Sequence, residues 1–167
     1  MNAHLQRALK DINSATSGLS EAGLTRHVEG KWSAAEILEH LSMAFSTTAK
    51  VFERCAQKGG PIGDSPSLKQ RFFAAVVTDI GYFPNGRKAP HMVVPTGLLQ
   101  GAEALEAIRA NLIEMDKQLA RCQETCGTKG WLANHPVLGP LTIKQWPKFH
   151  RIHTRHHMKQ VRKMCGE

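Results

Sequence analysis

Four of the nine histidines in this chain lie in one eight-residue run, at His150, His153, His156 and His157. His153 and His157 are one helical turn apart, the spacing at which a single helix offers two imidazoles to one metal ion. Neutral imidazoles suit first-row divalent ions, and a site with three protein ligands keeps a coordination position for water or substrate. The run therefore indicates part of a metal centre that needs a further ligand from elsewhere in the chain.

The histidine run belongs to residues 142–164, which we expect to form one helix because apolar residues recur at three- and four-residue intervals. Thr142 and Gln145 have the spacing of a capping box that would open this helix. Because residues three and four apart share a helix face, the inward face is predicted to carry Trp146, His150, His153, His157, Gln160, Val161 and Met164. The opposite face, which we expect to face water, carries Lys144, Lys148, Arg151, Arg155, Lys159 and Arg162.

His40 is the third ligand that the sequence suggests. A capping box of Ser33 and Glu36 opens a second long helix, which we expect to continue to about Lys58. His40 lies at one edge of the apolar face of that helix. The remaining histidines are expected at the surface or in turns: His4, His27, His91 and His135. His40 is therefore the inward-facing histidine that we expect to meet the pair in the last helix.

Four further residues are candidates to assist such a site, and each has a simpler structural role as an alternative. His150 faces inward one turn before the ligand pair, nearer the mouth of the site, and is a secondary ligand candidate. His156 is phased toward the flank, where packing or solvent contact is the simpler expectation. Gln160 is phased inward, either to support a ligand by a hydrogen bond or to cap the end of the core. Glu36 is placed to orient His40, although the capping box already uses its carboxylate.

The apolar periodicity of the rest of the chain predicts two more long helices. One runs from about Asn2 to Ser17. The other carries apolar residues at strict three- and four-residue intervals from Leu105 to Cys122 and ends near Cys126. No convincing alternating strand accompanies them. Four amphipathic helices predict an all-α fold, a four-helix bundle built as a single domain of residues 1–167.

Residues 59–101 differ from the rest because they are rich in glycine and proline. We expect them to form a long crossover connection between the second and third long helices, with a short helix at residues 68–80. Long connections often carry function. Tyr82, Phe83 and Arg87 are then available to line a pocket over the metal centre.

Composition and charge narrow the classes of function. The hydrophobic fraction of 41% and the charged fraction of 22% are ordinary for a globular protein. No segment is long and apolar enough to span a bilayer, and no apolar leader opens the chain, so we expect a cytoplasmic protein. The net charge of +8 raises the question of nucleic acid, but no nucleic-acid-binding motif accompanies it. A solvated basic face is the favoured interpretation, and an anion-binding surface is the alternative.

The cysteines do not form a zinc or redox motif, because no pair has the CxxC spacing. Cys122 and Cys126 are expected to share a helix face. In a reducing compartment we expect all four cysteines to be thiols that serve mainly in packing. They are Cys55, Cys122, Cys126 and Cys165.

Two segments resemble motifs of a known superfamily. Residues 31–41, KWSAAEILEHL, resemble the second-helix motif of the DinB-like superfamily. Residues 135–160, HPVLGPLTIKQWPKFHRIHTRHHMKQ, resemble its fourth-helix motif. The order of residues is especially similar to that of the DUF1569 branch. The resemblance spans both ends of the chain, and the two motifs together are specific.

The resemblance implies an up-down-down-up four-helix bundle that holds a divalent metal through three histidines. Matched residue by residue, the ligands fall on His40, His153 and His157, and the glutamine of the motif falls on Gln160. Members with known activity are similar to thiol transferases and isomerases that use bacillithiol, mycothiol or related small thiols, and many form dimers. The resemblance therefore implies a zinc- or nickel-dependent transferase acting on a small thiol, with a homodimer as its assembly.

Other functions remain open from the sequence. A non-catalytic, stress-linked binding module would use the metal only to join helices, and its site would be closed by a fourth protein ligand. Metal-dependent hydrolysis needs the same ligands and an additional base, which the sequence does not clearly offer. Binding of nucleic acid by the basic face is a third alternative.

Overall fold

The computed structural model describes residues 1–84, 86 and 88–165, with Cys165 described by its backbone alone. Within these residues the α-helices are α1 (Ala3–Thr16), α2 (Glu21–Thr25), α3 (Ala34–Lys58), α4 (Leu68–Ala75), α5 (Gly101–Cys126) and α6 (Gln145–Cys165). A π-helical turn at Val76–Ile80 continues α4, and a 3₁₀ turn occupies His91–Val93. Two short strands precede α6, β1 (Ala133–His135) and β2 (Gly139–Leu141). The protein is therefore mostly helical, as the sequence predicts.

The long helices pack in pairs because each buries one apolar face. Helix α3 packs against α5 and α1 against α6, and α6 also contacts α3. The predicted apolar stripe of α5 lies in the core and is no more than 2% exposed at Ile108, Leu112, Met115, Leu119 and Cys122. Burying a side chain of this size stabilises the fold by about 1.5–3 kcal/mol. These contacts place α3 and α6, the two helices with candidate ligands, side by side.

Both predicted capping boxes are present. At the start of α3, the Ser33 amide donates to Glu36 Oε2 over 2.7 Å, and the Glu36 amide donates to Ser33 Oγ over 3.2 Å. Ahead of α6, the Thr142 amide donates to Gln145 Oε1 over 3.0 Å, and the Gln145 amide donates to Thr142 Oγ1 over 3.3 Å. The regular helix begins at Gln145 rather than Thr142, because residues 142–144 form the capping turn.

The structure differs from the prediction by a β-hairpin and a short helix. Strands β1 and β2 pair antiparallel, with Ala133 opposite Leu141 and His135 opposite Gly139. Three residues per strand are too few to produce a recognisable alternation of apolar and polar residues. Helix α2 lies between the first two predicted long helices, where the sequence analysis places no helix, and the Ser20 hydroxyl caps it by accepting a hydrogen bond from the Gly23 amide.

The connection between α3 and α5 is fixed to the segment before the hairpin. The Ile62 amide donates to the Leu132 carbonyl over 2.8 Å, and the Gly63 amide donates to the Trp131 carbonyl over 3.1 Å. A Cβ on Gly63 would lie 2.6 Å from the Trp131 carbonyl oxygen, so only glycine permits this approach. The connection is therefore held against the molecule at its start.

Two further predictions concern membranes and cysteines. None of the helices among the described residues combines the length and apolar character needed to cross a bilayer. Cys55, Cys122 and Cys126 are free thiols, and the Sγ atoms of Cys122 and Cys126 lie 3.7 Å apart on one face of α5, as predicted. The side chain of Cys165, also expected to be reduced, lies outside the described residues.

Candidate metal centre

Three histidine rings converge between α3 and α6. The Nε2 atom of His153 lies 3.2 Å from Nε2 of His40 and 3.0 Å from Nε2 of His157. All three side chains are buried, with exposed fractions of 3 to 8%. No other histidine, cysteine, aspartate or glutamate in the described ranges belongs to this group. The structure thus brings together the three residues that the sequence singles out, from helices at opposite ends of the chain.

The spacing of the three nitrogen atoms fits a divalent ion. Zinc–imidazole bonds are about 2.0–2.1 Å long. Two such nitrogens lie about 3.3 Å apart at a tetrahedral angle and about 2.9 Å apart at a right angle. The observed separations of 3.0 and 3.2 Å fall between these limits. The three residues therefore lie close enough to hold one metal ion.

The hydrogen bonds on the far side of two rings fix where their protons are. His40 Nδ1 donates to the Val93 backbone carbonyl over 2.6 Å, and His157 Nδ1 donates to Gln160 Oε1 over 2.7 Å. A neutral imidazole has one N–H and one lone pair. With the protons on Nδ1, the Nε2 lone pairs of His40 and His157 both face Nε2 of His153. A cation at this point can accept the lone pairs of all three Nε2 atoms. Without a cation, the single N–H of a neutral His153 can donate to only one of the lone pairs of His40 and His157.

Burial lowers the pKa of each ring below the ordinary value of 6.5 for histidine. For His157 burial, reinforced by the charge of His40, lowers the pKa to about 3. The pKa of His153 is lowered well below its usual range, first by burial and then by the charges of His157 and His40. The hydrogen bond to Val93 partly opposes the effect of burial on the pKa of His40. All three rings are therefore neutral near pH 7, the form that binds metals.

Aromatic side chains enclose the group. The ring of His153 contacts two phenyl rings, Phe83 at a centroid distance of 5.2 Å and Phe149 at 5.4 Å, and both pairs are stacked. Trp32 covers the ring of His40 at 5.1 Å. Apolar walls of this kind exclude water and strengthen the electrostatic interactions inside.

Comparison with known protein families supports the closeness to the DUF1569 branch that the motifs suggest. A family model described as "Protein of unknown function (DUF1569)" matches residues 2–164. The chain belongs to the DUF1569 family. The matched range contains the three converging histidines, helices α1 to α5 and all of α6 except its last residue. No curated protein and no solved structure matches the chain.

In this DUF1569 member, Gln160 and His156 form a polar link beside the group. The expectation that Gln160 faces inward is wrong, because its side chain is exposed. It nevertheless reaches back to the site, since Oε1 accepts from His157 Nδ1 and Nε2 lies 3.3 Å from His156 Nε2. His156 is half-buried and packs on Phe83 at 4.8 Å, which agrees with the predicted flank position.

His150 lies deeper than the sequence suggested. The helical phase predicts a position near the mouth of the site, but His150 is 1% exposed and less accessible than the three converging rings. Its Nε2 atom lies 3.0 Å from Thr48 Oγ1, and its ring contacts Phe45 and Trp146. Burial lowers its pKa to about 3. His150 lies outside the three-histidine group and serves the packing between α3 and α6.

Glu36 does not take the role proposed for it. Its Oε2 accepts the Ser33 amide at 2.7 Å and lies 3.5 Å from Nδ1 of His27. The hydrogen bond that orients His40 comes instead from Val93. The capping box holds the Glu36 carboxylate at the helix start, so the alternative structural role explains this residue.

Two residues next to the site are not among those that the sequence singles out, Glu39 and Val93. Glu39 is 5% exposed, and its carboxylate accepts hydrogen bonds from Thr96 and Gly97. Glu39 shares a helix face with Ala35 and Ser42, which are both buried. An acidic residue on that face is a signal of a buried carboxylate that the sequence does offer. The contribution of Val93 is a backbone carbonyl, which residue type does not reveal.

The other residues noted from the sequence have separate roles. Tyr82 is 60% exposed, whereas its neighbour Phe83 covers the histidine group, and Arg87 lies outside the described residues. His4, expected at the surface, is half-buried, and its pKa is lowered by burial and by the charge of Arg151.

His135 has the turn role that was expected of it. Its Nδ1 accepts the amides of Val137 and Leu138, each over 3.1 Å. It also borders a surface cleft of about 500 Å³, lined in addition by Asp64, Gln70 and Asn134. Phe149 contacts the rings of both His135 and His153, so the cleft is separate from the histidine group.

Proposed function

We propose that this DUF1569 protein is a divalent-metal-dependent enzyme of the DinB-like type, a transferase that uses a low-molecular-weight thiol. The observation that carries the proposal is the convergence of three buried Nε2 atoms, 3.0 and 3.2 Å apart. The resemblance of residues 31–41 and 135–160 to DinB-like motifs supports both the metal and the thiol. Zinc and nickel are the proposed ions, since imidazole ligands suit both.

His40, His153 and His157 would hold the ion through Nε2. A bound divalent ion would favour the thiolate form of a small thiol, which is the nucleophilic form near neutral pH. The Val93 carbonyl and the Gln160 amide oxygen keep the protons of His40 and His157 on Nδ1, away from the ion. Phe83, Phe149 and Trp32 exclude water from the rings.

The proposed reaction joins the thiol sulfur to a carbon of a small electrophile. The sulfur–carbon bond forms as the leaving group departs with its electron pair, and the proton of the thiol passes to solvent. The electrophile would lie under the connection at residues 59–101, where Phe83 is the wall next to His153. The net charge of +8 suits an anionic thiol.

Architecture, assembly and location follow from the same proposal. Helices α1, α3, α5 and α6 would form an up-down-down-up bundle within one domain of residues 1–167, with residues 59–101 as the crossover. The packing of α3 on α5 and of α1 on α6 supports this arrangement. We propose a cytoplasmic homodimer that binds a small molecule and not nucleic acid.

The first test is the metal content of natively purified protein. We expect about one divalent ion per chain by elemental analysis. The same preparation should conjugate a small thiol to a generic aromatic electrophile. His157→Ala should lose both properties, whereas His91→Ala, which changes an exposed histidine, should keep them. If natively purified protein contains no metal, the whole proposal is overturned. If it contains metal but conjugates no thiol, the thiol-transferase part of the proposal is overturned.

A non-catalytic metal site that joins α3 to α6 is the second candidate. The low exposure of the three rings, 3 to 8%, favours this candidate, because little of their surface is accessible to a substrate. Thermal unfolding separates the candidates: a purely structural ion should raise the melting temperature strongly while no thiol conjugation is detected. Hydrolysis has weaker support, because the carboxylates of Glu36 and Glu39 are both engaged by backbone amides.

A further inference from the structure

Glu39 connects the helix that carries His40 to the segment that orients His40. We propose that Glu39 is a positioning residue for the metal site: it holds residues 93–97 so that the Val93 carbonyl stays on Nδ1 of His40, and it thereby sets the affinity for the ion. This inference rests on the proposed metal site.

Three hydrogen bonds, here called the Glu39 clasp, fix the segment. Oε1 of Glu39 accepts the Thr96 amide over 3.0 Å and the Thr96 hydroxyl over 2.5 Å. Oε2 accepts the Gly97 amide over 3.0 Å. The carboxylate is 5% exposed, and hydrogen bonds to a buried charged group are among the stronger ones in proteins. The clasp therefore joins α3 firmly to a part of the chain 57 and 58 positions away.

The clasp lies three residues beyond the carbonyl that it would position. Between Val93 and Thr96, Pro95 restricts the backbone. The Val93 side chain is itself buried, and the Val93 amide donates to the Pro90 carbonyl over 3.0 Å. The segment is thus held at one end by an apolar anchor and at the other by a carboxylate. Little freedom remains for the Val93 carbonyl to leave His40.

The Val93 carbonyl matters because it selects the form of His40 that binds metal. Its hydrogen bond keeps the proton on Nδ1 and directs the Nε2 lone pair toward His153. Groups that orient a metal-binding histidine in this way typically change metal affinity by about 10- to 100-fold when they are removed. Loosening the clasp should therefore weaken metal binding without removing any ligand. By reciprocity, a bound ion should stabilise residues 93–97.

Zinc titration against a competing chromogenic chelator tests the proposal. Glu39→Gln loses the acceptor for the Gly97 amide, and we expect its affinity for Zn²⁺ to fall by about 10- to 100-fold. The matched control is Glu53→Gln, a carboxylate farther along α3 that bonds only to Gln57 among the described residues. Its affinity should remain within about twofold of wild type.

A second variant separates position from charge, because Glu39→Gln also removes a negative charge near the ion. Thr96→Val keeps the charge and removes the hydroxyl bond to Glu39, together with the bond that the hydroxyl accepts from the Leu98 amide over 3.3 Å. We expect it to weaken Zn²⁺ binding at least about threefold, while the exposed Thr128→Val has no effect. If Glu39→Gln weakens binding and Thr96→Val does not, charge alone accounts for the effect and the proposal is overturned. If Glu39→Gln does not fold, the Thr96→Val comparison decides.

Amide hydrogen exchange supplies a readout that a purely structural role would not change. In the wild type, Zn²⁺ should slow the exchange of residues 93–98, and Glu39→Gln should remove most of that protection at unchanged helical content. Equal affinity and equal metal-dependent protection in both variants and wild type would overturn the proposal. Wild-type protein that binds no Zn²⁺ would instead overturn the metal site itself, so the two failures are distinguishable.

Discussion

His40 Nδ1 and the backbone carbonyl of Val93 form a hydrogen bond of 2.6 Å across 53 positions of sequence. The bond joins α3 to the connection that follows it and leaves the Nε2 lone pair of His40 facing the histidine pair of α6. The candidate metal site is thus built from three parts of the chain: two helices and one loop carbonyl. The predictions below follow from this arrangement and from the packing around it.

Removing one of the α6 ligands should abolish metal retention but preserve the helices. His153→Ala is expected to weaken Zn²⁺ binding by more than about 100-fold, since the effect of losing a ligand should exceed that of losing a supporting group. Elemental analysis and far-UV circular dichroism of the same sample check both parts. His91→Ala is the control, because His91 is exposed and lies outside the group. Metal content unchanged in His153→Ala would contradict ligation by that ring.

The metal-free protein should become less stable as the pH falls below 7, and His150 should contribute. Burial lowers its pKa from 6.5 to about 3. Between these values the unfolded chain binds a proton that the folded chain does not, so acidification favours unfolding. From pH 7.5 to 5.5 this residue should cost about 1 kcal/mol of unfolding free energy.

Urea titrations of wild type and His150→Gln at the two pH values measure that contribution. The amide can still bond to Thr48 but cannot titrate, so the variant should lose less stability between pH 7.5 and 5.5. His91→Gln, at an exposed site, should keep the wild-type slope of unfolding free energy against pH. Identical slopes in all three proteins would show that His150 does not carry the effect.

Phe83 should slow the release of the ion. Its ring stacks on His153 at 5.2 Å, and aromatic pairs contribute about 0.5–1.5 kcal/mol. In Phe83→Ala we expect affinity for Zn²⁺ to fall by about 2- to 10-fold and transfer to a chelator to accelerate. Stopped-flow mixing measures the transfer. Phe72→Ala removes a ring that is 69% exposed and should behave as wild type. Equal release rates would argue against a shielding role for Phe83.

Gly63→Ala should destabilise the whole protein. The new Cβ would lie 2.6 Å from the Trp131 carbonyl oxygen, so backbone must move. Overpacking of this kind costs about 1–3 kcal/mol. Gly60→Ala is a matched control, because a Cβ there meets no atom within 4 Å. Thermal unfolding of the two variants provides the comparison, and an unchanged melting temperature for Gly63→Ala would contradict the close approach.

The sequence predicted the parts of this structure that depend on local pattern. The periodicity of α5, the capping box of Ser33 and the four-residue spacing of His153 and His157 each express the geometry of one helix. The phase of His40 on α3 was also readable, because an apolar face points to the core wherever that core lies. These features were enough to predict that the three histidines lie close together.

The sequence could not predict contacts made by the backbone of distant segments. The carbonyl of Val93 and the amides around Gly97 reach the site only because the connection folds back on α3. The exposure of Gln160 and the depth of His150 depend on how neighbouring elements pack around α6, not on helical phase. The hairpin was missed for a related reason, since its strands are three residues long.

His40 and His153 are 113 positions apart, so an ion shared by both would close a very large loop in the polypeptide. A cross-link of this span removes about 4–5 kcal/mol of chain entropy from the unfolded state. That amount is comparable to the total stability of many small domains. Metal supply would then govern how much of the protein survives proteolysis in the cell, independently of any reaction at the site.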